Sequence, residues 1–175
     1  TDAHKVDRPG DRARYLKRFG FWTVGGLVGL LSLLMVFQRA AEFFDARAYP
    51  APGAFYDLGD VTLHMSCLGD GPVTVLFSSG MGNPAASWRP LERLLETDYK
   101  VCSYDRDGLG WSGDSARPRD AVLAADRLAR LLDKAQIKGP LILVGHSYGA
   151  LVARVFVAAH ADRVDGLVML DSSHE

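Results

Sequence analysis

Leu141-Ile142-Leu143-Val144-Gly145-His146-Ser147-Tyr148-Gly149 is the stretch on which the reading of this chain turns. Four apolar residues after Gly139-Pro140 predict a buried strand over 141–144. The apolar run 150–160 predicts a helix directly behind it. Between them stands Gly-x-Ser-x-Gly. A tight strand-to-helix turn of this kind strains the backbone of its central residue and leaves room only for small neighbours two positions away. Ser147 is therefore the candidate nucleophile, held clear of the sheet. The helix N-terminus behind it favours negative charge developing in front. The bland alternative is a small-residue turn that only packs a helix on a strand.

Working outward, strands and helices alternate. Residues 54–58 and 61–67 predict a hairpin around Gly59-Asp60, the second arm alternating Val61, Leu63, Met65 and Cys67 with polar residues. Residues 72–78 predict a buried strand and 99–104 the next strand. A helix is expected over 85–96, with Trp88, Leu91, Leu94 and Leu95 on one face. Another is expected over 118–135, started by Pro118 and carrying Val122, Ala125, Leu128, Leu131 and Leu132 at helical spacing. Residues 164–170 predict a last strand. This order predicts an α/β fold with a mostly parallel sheet covered on both faces.

The N-terminal third differs. Residues 19–37 carry no charge and as a helix would span about 28 Å, one hydrocarbon thickness. Residues 1–18 hold six bases against three acids; the remainder holds fourteen against eighteen. The near-neutral total of −1 thus hides a basic flank, an uncharged segment and a mildly acidic domain. A cleaved signal peptide would have an unusually long apolar region, with its nearest Ala-x-Ala at Ala46-Arg47-Ala48 too far downstream. A buried helix would show a polar face. The reading is a basic cytoplasmic flank at 1–18, a transmembrane helix at 19–37 and a juxtamembrane connector at 38–53, with the domain at 54–175 outside the cytoplasm. Gly25 and Gly29 form a GxxxG that could pack two spans together.

The chain resembles the α/β-hydrolase fold family over roughly residues 50–175, and resembles its membrane-anchored bacterial members. Three segments besides the serine turn carry the likeness. Ser79-Gly80-Met81-Gly82 stands at the family's His-Gly-x-Gly loop, with Ser79 in place of the His. Tyr104-Asp105-Arg106-Asp107-Gly108-Leu109-Gly110-Trp111-Ser112 matches D-R-x-G-x-G-x-S. Residues 168–174 match the end of the sixth strand. The resemblance implies a serine hydrolase acting on an ester-like bond (ester, thioester or amide) of a small-molecule acyl substrate through an acyl-enzyme on Ser147. The oxyanion would be held by the backbone N–H groups of Met81 and Tyr148. The family's acid and base follow the serine in the order acid, then His. Asp171 and His174 satisfy that order, but lie on one short loop. The expected sites are further on, so the reading expects a chain that continues past residue 175 and a fragment 1–175 that is inactive by itself. Cys67 and Cys102 lie on strands that are neighbours in the family, which implies either a disulfide or two small buried residues. His146 is expected to point away from the nucleophile and to be structural; His64 and His160 have no implied role, with exposure the default.

Other classes fit poorly. No excess of positive charge exists for nucleic acid. Gly108, Gly110 and Gly113 spell G-x-G-x-x-G, but the helix begins too late for a dinucleotide turn, so no nucleotide is expected. No metal-ligand spacing or cofactor is implied. The reading from a different class is a non-catalytic, membrane-tethered binding domain that keeps the fold without a full triad.

Overall fold

The computed structural model describes residues 9–172. The chain divides into two compact units between Pro50 and Ala51. The first holds helix α1, Pro9–Ala48. Its segment Phe19–Asp45, whose most apolar 18 residues have a mean hydropathy of 2.0, is long and apolar enough to cross a membrane. The helix does not stop where the apolar run does. It continues through residues 38–48, where Gln38 donates to Glu42 at 3.1 Å and Arg39 pairs with Glu42 at 3.2 Å. Irregular backbone starts only at Tyr49, because the residue before a proline is pushed out of helical geometry.

The second unit is built on a six-stranded sheet in the order β1-β2-β4-β3-β5-β6. The strands are β1 (Ala54–Asp57), β2 (Thr62–Leu68), β3 (Thr74–Ser78), β4 (Lys100–Tyr104), β5 (Leu141–His146) and β6 (Gly166–Leu170). Strand β2 runs antiparallel to both neighbours, and the other pairings are parallel. Helices α3 (Ala121–Lys134) and α4 (Tyr148–Ala159) bury Leu128, Leu132, Val152 and Phe156 against Leu76, Cys102 and Leu143. The opposite face packs Val75, Phe77, Val101 and Val144 around Trp88. Successive strand residues point to opposite faces, which is why neighbours such as Val75 and Leu76 enter different clusters. Cys67 is directly opposite Cys102 in the β2–β4 ladder, their Cα atoms 4.1 Å apart, and a disulfide joins them.

Two helices differ from expectation. The segment predicted as one helix over 85–96 is a 3-10 turn, Ala85–Trp88, followed by α2, Arg89–Leu95. Pro90 has no N–H to continue the earlier ladder, so a fresh helix starts around it. The predicted apolar face holds only in part: Trp88 and Leu95 pack inward, and Leu91 and Leu94 do not. Trp88 and Glu92 turn inward, while Leu91 and Leu94 are 42% and 75% exposed. The Glu92 carboxyl lies 3.1 Å from Arg89 without a well-aligned hydrogen bond, and burial pushes its pKa up. Helix α3 begins at Ala121 rather than Pro118 because Asp120 caps it, accepting from the Leu123 N–H at 2.7 Å.

Candidate active site

Strand β5 feeds helix α4 through Ser147, whose φ of 51° and ψ of −123° lie outside the usual regions for a side-chain-bearing residue. The turn is held from several directions. The Ser147 N–H donates to the Leu170 carbonyl at 3.2 Å, tying it to the end of β6. A Cβ on Gly145 would lie 2.5 Å from the Ala150 Cα, and one on Gly149 would lie 2.1 Å from the Ser78 carbonyl oxygen. The glycines are thus required by space: α4 approaches β5 on one side and β3 on the other.

The loop after β3 lies against this turn. A Cβ on Gly80 would sit 3.4 Å from the Ser147 Cβ and 2.9 Å from Nδ1 of His146. Ser79 is buried, with its hydroxyl accepting from the Trp88 indole at 2.8 Å. The Asn83 N–H donates to the Gly80 carbonyl at 3.2 Å, which makes Gly80–Asn83 a tight turn. Tyr148 is the first residue of α4, so its N–H has no acceptor within the helix. Met81 and Tyr148 both line a cavity of about 390 Å³, walled by Tyr104, Leu109 and Leu123 and reached by Arg106.

The loop after β4 carries polar connections that sequence reasoning missed. Asp105 Oδ1 accepts from the Ala85 N–H at 2.7 Å, and its Oδ2 lies 2.9 Å from Nδ1 of His64. His64, expected on an exposed hairpin, is fully buried. Its Nε2 meets the Pro52 carbonyl. Burial by itself would lower the pKa of His64, but Asp105 and the Pro52 carbonyl outweigh it and hold the imidazole above its ordinary value. Asp107 accepts from Arg127 at 2.6 Å, and Arg127 also donates to Asp60 at 2.7 Å. Burial would raise the Asp107 carboxyl, yet Ser115 and Arg127 hold it below the usual range; Asp60 is lowered chiefly by its bond from Arg127. Only the D-R-x-G pattern hinted at this loop, and it named no partners.

Of the residues singled out by sequence, Met81 and Tyr148 line one cavity, and Ser147 precedes Tyr148 with the Gly80 position beside it. Asp171 is exposed just beyond Leu170, with φ 43°. His174 lies outside the described residues. His160 packs on Phe156 at the end of α4, with ring centroids 4.9 Å apart. Among the described residues no histidine is hydrogen-bonded to Ser147, and no three His, Cys, Asp or Glu side chains are grouped to hold a metal ion.

Comparison with known proteins identifies the fold. A family model described as "alpha/beta hydrolase fold" matches residues 73–175. An uncharacterized vacuolar membrane protein of Saccharomyces cerevisiae is 34% identical over 178 residues, covering 90% of this chain and 27% of the relative. The 2-(acetamidomethylene)succinate hydrolase of Mesorhizobium japonicum is 32% identical over 115 residues, covering 66% of this chain and 41% of that enzyme. The crystal structure of Cfl2 from Burkholderia cenocepacia superposes with a TM-score of 0.64 at 30% identity, over 68% of this chain and 40% of that one. The chain therefore spans less than half the length of each of these proteins.

Proposed function

This chain belongs to the alpha/beta hydrolase fold family, and from that premise we propose that the whole protein is a serine hydrolase with Ser147 as its nucleophile. The observation that carries the reading is the Ser147 backbone itself. A non-glycine residue is held at φ 51° on a strand-to-helix turn, beside a glycine loop and in front of a helix N-terminus. Such strain is the arrangement that a nucleophile on a strand-to-helix turn requires.

The Ser147 hydroxyl oxygen adds to the carbonyl carbon of an ester-like substrate while its proton passes to a general base. The carbonyl oxygen becomes an oxyanion, received by the N–H groups of Met81 and Tyr148. Collapse of the tetrahedral adduct re-forms the carbonyl and expels the alcohol, thiol or amine, which takes up the proton. Water then repeats the sequence on the acyl-enzyme and frees Ser147. Asp171 and His174 follow the serine in the order acid then base, and stand as the in-chain candidates for those roles.

The domain organisation goes with this reading: residues 1–18 cytoplasmic, a membrane-crossing segment within α1, a linker, and the hydrolase domain from residue 54 on the far side. The apolar segment Phe19–Asp45 supports membrane attachment, and the basic flank before it supports the orientation. The second reading, a tethered binding domain, draws on the absence of a histidine bonded to Ser147 among the described residues. One experiment separates the two. The whole protein is treated with a fluorophosphonate probe and the adduct mapped by mass spectrometry. Labelling of Ser147, lost in Ser147→Ala together with turnover of a p-nitrophenyl ester, is the expected result. A folded protein with no adduct at Ser147 would favour the binding domain.

A further inference from the structure

The residue after Asp105 has no role in the reaction as written, yet it touches both parts of the oxyanion site. Arg106 is 8% exposed. Its Nη1 donates to the Ser79 carbonyl, and its Nη2 donates to the Gly80 carbonyl at 2.7 Å. The same guanidinium lies over the Tyr148 ring, 5.3 Å from the centroid. The carboxylates lining the same cavity are engaged elsewhere: Asp107 by Arg127 at 2.6 Å and Asp120 by the Leu123 N–H at 2.7 Å. Among the described residues, Arg106 pairs with no carboxylate; its partners are carbonyl oxygens and an aromatic face.

We propose that Arg106 is the positioning residue of the oxyanion site. The inference rests on the reading that the Met81 and Tyr148 N–H groups receive the oxyanion. No peptide bond in the described chain is cis, so the Gly80 carbonyl and the Met81 N–H belong to one trans plane and point in opposite directions. Drawing the carbonyl onto Arg106 therefore turns the Met81 N–H to the other side. Holding the Ser79 carbonyl as well fixes two successive planes, which a single bond could not do. Donation to a carbonyl also polarises its peptide and strengthens the N–H on the far side as a donor. A planar fork suits two adjacent carbonyls in a way that an ammonium does not. The contact with the Tyr148 ring aligns the second donor's residue against the same group. Finally, a buried cation without a carboxylate leaves its charge free to act on an anion formed nearby.

The test uses the whole protein, with Arg106→Gln and Arg106→Lys measured beside it. Arg106→Gln removes the charge and the fork. Its kcat should fall roughly 10- to 100-fold with KM changed less than about 3-fold, since only the transition state carries the oxyanion. Inhibition by an arylboronic acid, which forms a tetrahedral adduct on the serine, should weaken in parallel. Arg106→Lys keeps charge but not the fork, and should fall in between. Unchanged kcat and boronate affinity in folded Arg106→Gln would overturn the inference while leaving Ser147 as nucleophile. So would a loss confined to KM. If Arg106→Gln does not fold, wild-type kcat and boronate affinity in Arg106→Lys overturns it equally. Absence of a Ser147 adduct in the unaltered protein overturns the underlying reading and this inference with it.

Discussion

Nδ1 of His64 lies 2.9 Å from Oδ2 of Asp105, and both side chains are shut off from solvent. The other ring nitrogen faces the Pro52 carbonyl, so both nitrogens meet acceptors and the doubly protonated imidazolium satisfies both. The pair joins the start of the domain, strand β2 and the loop after β4. Replacing His64 by Leu leaves Asp105 buried with only backbone donors, and should cost about 3–5 kcal/mol of stability. The pH dependence has a definite sign. The folded pKa of His64 is raised, so its contribution is complete below the unfolded value of about 6.5 and is lost as pH rises through the folded value. Unfolding free energy of the intact protein, followed across that window, should decline with pH, and His64→Leu should flatten the decline.

Arg127 makes the complementary prediction in acid. It is 3% exposed and bridges Asp60, on the hairpin turn, to Asp107 in the loop after β4. Both carboxyls are held below their ordinary range, so their contribution is present above about pH 3.8 and is lost as pH falls through their folded values. Arg127→Met should destabilise by about 3–5 kcal/mol at neutral pH and blunt the acid sensitivity. Denaturant titrations of both proteins at pH 7 and at about pH 2.5, below the ordinary carboxylate value, give the comparison.

At Gly149 the added methyl of an alanine would meet the Ser78 carbonyl oxygen at 2.1 Å and that of Ser79 at 2.5 Å. Both are backbone atoms, so helix and strand must part. Gly149→Ala should lower stability by about 1–3 kcal/mol and slow fluorophosphonate labelling of Ser147 more than it lowers the melting temperature would suggest. A labelling rate equal to wild type would show that the turn tolerates the shift.

Cys67 and Cys102 are 35 residues apart in sequence and directly paired across β2 and β4. Thiol titration of the unreduced, denatured protein should find no free thiol. Closing a loop of this length should contribute about 4 kcal/mol, so Cys102→Ser should lower the denaturation midpoint accordingly.

Much of this architecture is written in local pattern. The Gly-His-Ser-Tyr-Gly turn, the alternating strand β2 and the apolar runs of β3 and β5 each specify a conformation over a few residues, and neighbours along the chain suffice to recognise it. Together they were enough for the α/β fold and the family resemblance. Local pattern failed at α2, where Pro90 restarted the helix and turned Glu92 inward in place of Leu91 and Leu94. Chain closure alone produced the rest. His64 meets Asp105 from 41 residues away, Arg127 meets Asp60 from 67, and Arg106 reaches back 26 residues to the Gly80 carbonyl. Each is a polar group that would be solvated on an open chain. Burial removes water and leaves each group only the partner that the sheet order brings beside it. Strand and helix periodicity carry no record of that partner, because it is chosen by which strands become neighbours and in what register.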